Sequence, residues 1–210
     1  MTLQDLLKQP LFLFLSMKFQ EIKKKLKTKT VGIAGCGGLG SNCAVALART
    51  GIGRLIIADF DKIEESNINR QYFFWNQVGK IKSDTLKENI ERINPEVEVI
   101  SHHVFIDESN FKELFRECDL VIEAFDRSES KEMIVKSMSK FFPDRILIMG
   151  IGISGWGQND SIKETRYDNL IICGDQKSEV SDENPPLAPR VGIVANMQAN
   201  VALEILLKKL

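Results

Sequence analysis

The chain is predicted to fold as an α/β protein with a doubly wound, mostly parallel, Rossmann-like sheet, closed by a small C-terminal strand-loop-helix extension. Three observations predict it. Short apolar runs alternate steadily with segments whose apolar residues recur at helical spacing. The first of these runs leads into Gly35-Cys36-Gly37-Gly38-Leu39-Gly40, glycines spaced for a strand-to-helix turn that cradles phosphate. A length of 210 residues with 43% hydrophobic content supplies one ordinary core, so 1–210 is read as a single domain.

Taken in order, residues 3–27 alternate apolar and lysine-rich stretches and read as one or two amphipathic helices, an N-terminal helical segment over 1–29. Residues 31–34 read as a buried strand, about 39–49 as a helix and 55–58 as a second strand, which makes a βαβ unit. Leu86, Ile90 and Ile93 recur at helical spacing, and Asn94-Pro95 ends that helix because the residue before proline is pushed out of the helical region. Strand 97–104, helix 110–117, strand 120–124, helix 128–141 and strand 146–151 continue the alternation, which implies a parallel sheet covered on both faces. The polar, glycine-bearing stretch 154–167 is given no element. Residues 170–173 form a short strand, and 174–189 a charged, proline-bearing loop expected to be exposed and mobile. The last helix runs from about 190 to 209, apolar at Val191, Val194, Met197, Val201 and Ile205, with Lys208 and Lys209 at its negative end.

The formal net charge of −1 gives no general attraction to nucleic acid or to anionic membranes. Lys23, Lys24, Lys25, Lys27 and Lys29 could meet an acidic partner, but Glu21 and Lys25, four residues apart, favour a solvated helix face. The apolar run 11–15 is too short to span a bilayer and no small-residue cleavage site follows it, so the protein is read as cytoplasmic. Cys36, Cys43, Cys118 and Cys173 form no C-x-x-C pair. The two histidines, His102 and His103, placed early in the third strand, would point to opposite faces, so no zinc site is expected.

The glycine turn opens a helix, whose N-terminus offers unpaired N–H groups to negative charge. Asp59 lies 59 − 40 = 19 positions after the last glycine, where a carboxylate can accept from both hydroxyls of an adenosine ribose. These features fit NAD as well as ATP, so an NAD(P)-dependent oxidoreductase stands as the alternative. The downstream residues favour a triphosphate. Asn67, Arg70 and Gln71 can leave one turn together, Arg70 offering a planar fork of donors; Lys82 adds a charge; and Asp126, just past strand 120–124, can hold Mg²⁺. Arginine, lysine and a magnesium carboxylate suit stabilisation of a pentacoordinate phosphorus with pyrophosphate leaving.

Together, residues 35–41, Asp59-Phe60-Asp61, Ser66-Asn67-Ile68-Asn69-Arg70-Gln71, Gly79-Lys80-Ile81-Lys82, Arg92-Ile93-Asn94-Pro95 and Asp126 resemble the adenylating domain shared by ThiF, MoeB and the ubiquitin-activating enzymes. The likeness covers about residues 30–210, and residues 172–192 are most similar to the short ThiF-type proteins that adenylate the sulfur carrier ThiS. The resemblance implies an enzyme that uses Mg-ATP to adenylate the C-terminal glycine of a small ubiquitin-like sulfur carrier ending in Gly-Gly, for thiamine thiazole synthesis. It implies a nucleotide-binding core over 30–151, a carrier side over 152–210 and a homodimer, while the near-neutral charge counts against a membrane partner and mildly against nucleic acid. By the same resemblance Gly35, Gly37, Gly38, Gly40, Asp59, Asp61, Asn67, Arg70, Gln71 and Lys82 bind the nucleotide, Arg70, Lys82 and Asp126 act in catalysis, and Asp126 holds magnesium. Adenylation of another carrier, a peptide or a tRNA base stays open within the family.

Three departures qualify the likeness. The chain lacks the two C-x-x-C zinc pairs of longer relatives. Its first arginine is Arg49, so either a lysine such as Lys8 or Lys18 replaces the N-terminal arginine that many relatives carry, or that contact is absent. No cysteine lies in 182–189, where some relatives form a thioester; Cys173 is the nearest thiol, and its plainer reading is a small buried strand residue.

Overall fold

The computed structural model describes residues 17–208; Lys8 and the run 11–15 lie outside the described residues. A helix, α1 (Phe19–Leu26), precedes β1 (Thr30–Ala34), α2 (Gly38–Thr50) and β2 (Arg54–Asp59). Then follow α3 (Lys82–Ile93), β3 (Glu98–His103), α4 (Glu108–Phe115), β4 (Leu120–Glu123), α5 (Ser128–Phe141) and β5 (Ile146–Gly150). The chain closes with β6 (Lys163–Tyr167), β7 (Leu170–Gly174) and α6 (Ala188–Lys208).

The seven strands form one sheet in the order β3-β2-β1-β4-β5-β7-β6. Every neighbouring pair is parallel except β6 with β7. The inner strands β1 and β4 are buried at every position, which is why residues 31–34 and 120–122 read as apolar runs. One face of the sheet packs α1, α2, α3 and α6 through residues such as Leu26, Leu47, Ile90 and Val194. The other packs α4 and α5, where Phe111, Phe115 and Phe142 stack with ring centroids 5.2 and 5.9 Å apart. Gly32 of β1 is required there, because a Cβ would sit 2.6 Å from the Phe115 ring.

The sequence placed the parallel sheet and the helices between its strands, and the differences have local causes. α4 starts before residue 110 because Asp107 accepts the Ser109 and Asn110 amides at 2.8 and 3.2 Å while Asn110 Oδ1 accepts from the Asp107 amide. β6 falls in a stretch read as having no element. It is an exposed edge strand, Lys-Glu-Thr-Arg-Tyr, with no apolar alternation to find; its charges blunt the sheet edge and Arg166 pairs with Glu204 of α6 at 2.9 Å. His102 and His103 occupy the end of β3, not its beginning, and His103 Nε2 lies 3.0 Å from the Phe60 carbonyl. The loop after β7 is largely exposed, as expected, but it is tied down: Ser154 Oγ donates to the Glu179 carbonyl at 2.8 Å, and Asp175 pairs with buried Arg190 at 2.5 Å. By length and composition alone α6 could cross a membrane, yet half of the relevant stretch is buried against the core.

Candidate active site

The strand order reverses at β1. From it the chain runs outward to β2 and β3, then returns to β4 on the other side, and a cleft of about 690 Å³ opens over the carboxyl ends of these strands. Another hollow, about 590 Å³, runs along edge strand β3 beside Lys87, Glu98 and Ser101, and none of the residues given a binding or catalytic role from the sequence lines it.

The cleft floor is the turn from β1 into α2. Gly35 adopts φ +99°, and a Cβ on it would approach the Ala124 carbonyl oxygen to 2.9 Å. Gly40 is needed for closure of the turn, since its Cβ would fall 1.8 Å from the Gly35 carbonyl oxygen. It therefore stays below the cleft, which Gly35, Gly37 and Gly38 line. No side chain caps α2, whose N-cap is Gly37, so the helix's positive end is left for a ligand.

Asp59 ends β2 and is nearly buried. Its Oδ2 accepts from the Cys36 amide at 2.6 Å and its Oδ1 from the Asp61 amide at 2.7 Å. Burial pushes its carboxyl above the ordinary value, against the opposing pull of these amides and of Lys82. Both oxygens thus already serve the backbone, and only their remaining lone pairs are left for a ribose. Lys82, first residue of α3, keeps just 8% of its side chain exposed and donates to Asp61 Oδ2 at 2.8 Å.

Residues 65–71 wind through a short 3₁₀ turn beside the glycines. Arg70 and Gln71 line the cleft; Asn67 does not. Asn67 is buried, with Oδ1 accepting from the Glu64 amide at 3.2 Å, so it orders the segment from within. Arg70 is held by the Ser66 carbonyl at 2.9 Å and Asn69 Oδ1 at 2.8 Å. Burial lowers its guanidinium pKa, and the Asp126 carboxylate, which lines the same cleft, raises it. Gln71 Oε1 is buried with no hydrogen-bond partner among the described residues, an acceptor left over at a site rich in cations.

Asp126 lies in the β4–α5 loop, exposed at the cleft, and takes part in no hydrogen bond or ion pair among the described residues. Among the described residues, no cluster of three His, Cys, Asp or Glu could hold a metal unaided. Magnesium does not need one, since it binds through one or two carboxylates together with water and phosphate oxygens. A single unengaged carboxylate beside a phosphate-sized turn fits that requirement, whereas Asp61 is committed to Lys82.

The C-terminal edge of the cleft is formed by Gly150, Gly152, Ser178, Val180 and Pro186. The sequence pattern of the ThiF family matches residues 12–209. The chain belongs to the ThiF family. Among curated proteins, this ThiF-family chain is 40% identical over 117 residues to the tRNA threonylcarbamoyladenosine dehydratase of Bacillus subtilis, a match covering 55% of the chain and 46% of that relative. It is 31% identical over 189 residues to the adenylyltransferase and sulfurtransferase UBA4 of Eremothecium gossypii, covering 87% of the chain and 42% of the relative. The chain thus spans less than half the length of these relatives. Among solved structures, E. coli tRNA N6-threonylcarbamoyladenosine dehydratase in complex with AMP superposes with a TM-score of 0.82 at 21% identity over 90% of both chains, a likeness of fold.

In the ThiF-family fold observed here, Cys173 sits in β7, fully buried, and burial followed by the Glu164 charge pushes its thiol up to about 12. Cys118 is likewise pushed up to about 12, and Cys36 and Cys43 well above their ordinary value, burial being the first cause in each. The native protein is therefore expected to take up no iodoacetamide at pH 8 and all four equivalents after denaturation, read by intact mass. Rapid native labelling of Cys173 would restore it as a reactive thiol.

Two features of the cleft were given no role from sequence. Phe60 and Phe105, 45% and 50% exposed, meet edge to face at 5.1 Å on its wall. Lys131 also lines it, paired with fully buried Glu123 at 2.7 Å. The available signal was a carboxylate closing the otherwise apolar Leu120-Val121-Ile122 run.

Proposed function

We propose that the chain binds Mg-ATP in this cleft and adenylates a carboxylate. A carboxylate oxygen attacks the α-phosphorus, the bond to the β-phosphate bridging oxygen breaks, and pyrophosphate leaves with the electron pair. The product is an acyl-adenylate, a mixed anhydride whose carbonyl a sulfur nucleophile can then attack. One observation carries this reading: Arg70, Lys82 and Asp126 line the same cleft as a glycine turn whose helix start lacks a side-chain cap.

In this reading Gly35, Gly37 and Gly38 give the phosphates a close backbone approach, and Gly40 acts by letting the turn close. Asp59 receives the ribose. Arg70, Gln71 and Lys82 meet phosphate oxygens, Lys82 exchanging its Asp61 partner for them, while Asn67 keeps their segment in shape. Asp126 holds magnesium, which when bound neutralises charge on the triphosphate. Charge that grows on the departing pyrophosphate thus meets fixed cations rather than water.

The acyl substrate proposed is the C-terminal glycine of a ThiS-like, ubiquitin-like sulfur carrier, as in thiamine thiazole synthesis. The glycines Gly150 and Gly152 at the C-terminal edge of the cleft leave room beside Val180 and Pro186 for a tail without side chains. Residues 30–151 then form the nucleotide side and 152–210 the carrier side of one domain, in a cytoplasmic homodimer. A second reading, a carboxylate carried by a modified tRNA base, is favoured by the Bacillus subtilis relative, whose name describes a tRNA-modifying dehydratase.

The test is ATP–pyrophosphate exchange with radiolabelled pyrophosphate and Mg²⁺, alone, with a Gly-Gly-ended carrier, or with threonylcarbamoyladenosine-containing tRNA. Label entering ATP only with the carrier is the expected result. Label entering only with tRNA selects the second reading, and NADH binding with no exchange in any arm overturns adenylation.

A further inference from the structure

Lys131, like Arg127, is a cation of the cleft that the proposed function leaves without a task. An ammonium facing a triphosphate site is ordinarily read as a phosphate ligand. Its three protons, however, are spoken for: they reach Glu123 Oε1 at 2.7 Å, Glu123 Oε2 at 2.8 Å and the Gly150 carbonyl at 2.9 Å. The partner acid is fully buried, and its Oε1 also accepts from the Phe125 amide at 2.6 Å. Gln198 of α6 donates to the Glu123 carbonyl at 3.0 Å, which fastens the same strand end from the opposite side of the sheet.

These bonds fix the segment that carries Asp126 from both directions. On the strand side, the Ala124 amide donates to the Ala34 carbonyl at 2.9 Å and the Phe125 amide to Glu123, so Asp126 is the first residue beyond the anchor. On the helix side, Lys131 lies in the first turn of α5, which has no side-chain cap of its own. The ion pair joins the two ends of the loop and ties both to β5 at Gly150. A lone carboxylate ligand depends on such anchoring, because its reach is set by the backbone that bears it.

We propose that Glu123 and Lys131 are positioning residues whose buried pair holds the β4–α5 loop so that Asp126 presents its carboxylate to a divalent cation, and that Lys131 makes no contact with the nucleotide. The proposal rests on Asp126 as the cation-holding residue of the proposed function.

The experiment is calorimetric titration of the full chain with α,β-methylene-ATP, once in EDTA and once across a series of Mg²⁺ concentrations. Lys131→Met is expected to weaken Mg²⁺ binding about tenfold, the scale of effect seen for outer-shell partners, with nucleotide affinity in EDTA changed less than about twofold. Lys131→Arg, which keeps the charge, is expected to recover most of the loss. Should Lys131→Met fold poorly, Glu123→Gln with Lys131→Met removes both charges together, keeps an acceptor for the Phe125 amide, and is expected to weaken Mg²⁺ binding as well. An equal loss of nucleotide affinity in EDTA would make Lys131 a nucleotide ligand and overturn the proposal. So would a folded double variant with wild-type Mg²⁺ affinity while Asp126→Asn lowers it. If Asp126→Asn itself left Mg²⁺ affinity unchanged, the failure would lie in the cation assignment of the proposed function.

Discussion

Replacing Arg70 with alanine is expected to slow carrier-dependent ATP–pyrophosphate exchange by a factor of about 10²–10³, the usual loss when one preorganised donor to a charged transition state is removed. Stability should change by no more than about 1 kcal/mol, because the bonds lost, to the Ser66 carbonyl and Asn69 Oδ1, lie within one half-exposed turn. The surrounding segment has other anchors. Asn42 Nδ2 donates to the Arg70 carbonyl at 2.9 Å, the Tyr72 amide donates to Ser41 Oγ at 2.9 Å, and the Gln77 and Asn89 side chains bond each other in the interior. None of these uses the guanidinium. Arg70→Lys keeps a charge without the planar fork and should recover only part of the rate. Exchange by Arg70→Ala at the wild-type rate, with an unchanged melting curve, would remove Arg70 from the proposed chemistry.

The sequence disclosed what depends on periodicity and on backbone need. β1 and β4 are buried on both faces and so appear as plain apolar runs, and the glycine turn is visible because only glycine tolerates φ +99° at residue 35 and a carbonyl 1.8 Å from the Cβ position of residue 40. It was silent where structure is fixed by partners distant in the chain. β6 is held by β7 and by Glu204, not by any pattern of its own. Lys131 looks like any lysine in a helical first turn until Gly150, 19 residues on, is found to accept its third proton. Asn67 shows the converse: the motif presents it beside Arg70 and Gln71, but a turn that places two side chains in a cleft directs the third inward, where it completes the turn's own hydrogen bonds.

Two glycines of the turn are expected to fail for different reasons when changed to alanine. In α2, alanine is favoured over glycine by about 1 kcal/mol of helix propensity, so propensity alone makes Gly40→Ala stabilising. The collision decides otherwise. The added carbon would lie 1.8 Å from a backbone oxygen and 3.2 Å from the Ala124 Cβ, and a main-chain oxygen cannot swing aside as a flexible side chain can. Relief requires the β1–α2 turn to open, at a net cost of about 3 kcal/mol, the upper end for overpacking. For a chain of this size that lowers Tm by roughly 6–12 °C. Gly37→Ala meets only the Gln71 amide nitrogen, 3.7 Å away, and should melt within about 2 °C of the wild type. Its methyl group would nonetheless stand at the helix N-cap, where the proposed phosphate approaches the backbone, so nucleotide affinity should fall by at least about tenfold, one lost charged hydrogen bond. Differential scanning calorimetry of both variants, with and without ATP and Mg²⁺, separates the effects: Gly40→Ala should lose stability whether or not nucleotide is present, and Gly37→Ala should lose only the stabilisation that nucleotide adds. A Gly37→Ala protein stabilised by ATP as fully as the wild type would mean that the phosphates do not pass over this turn.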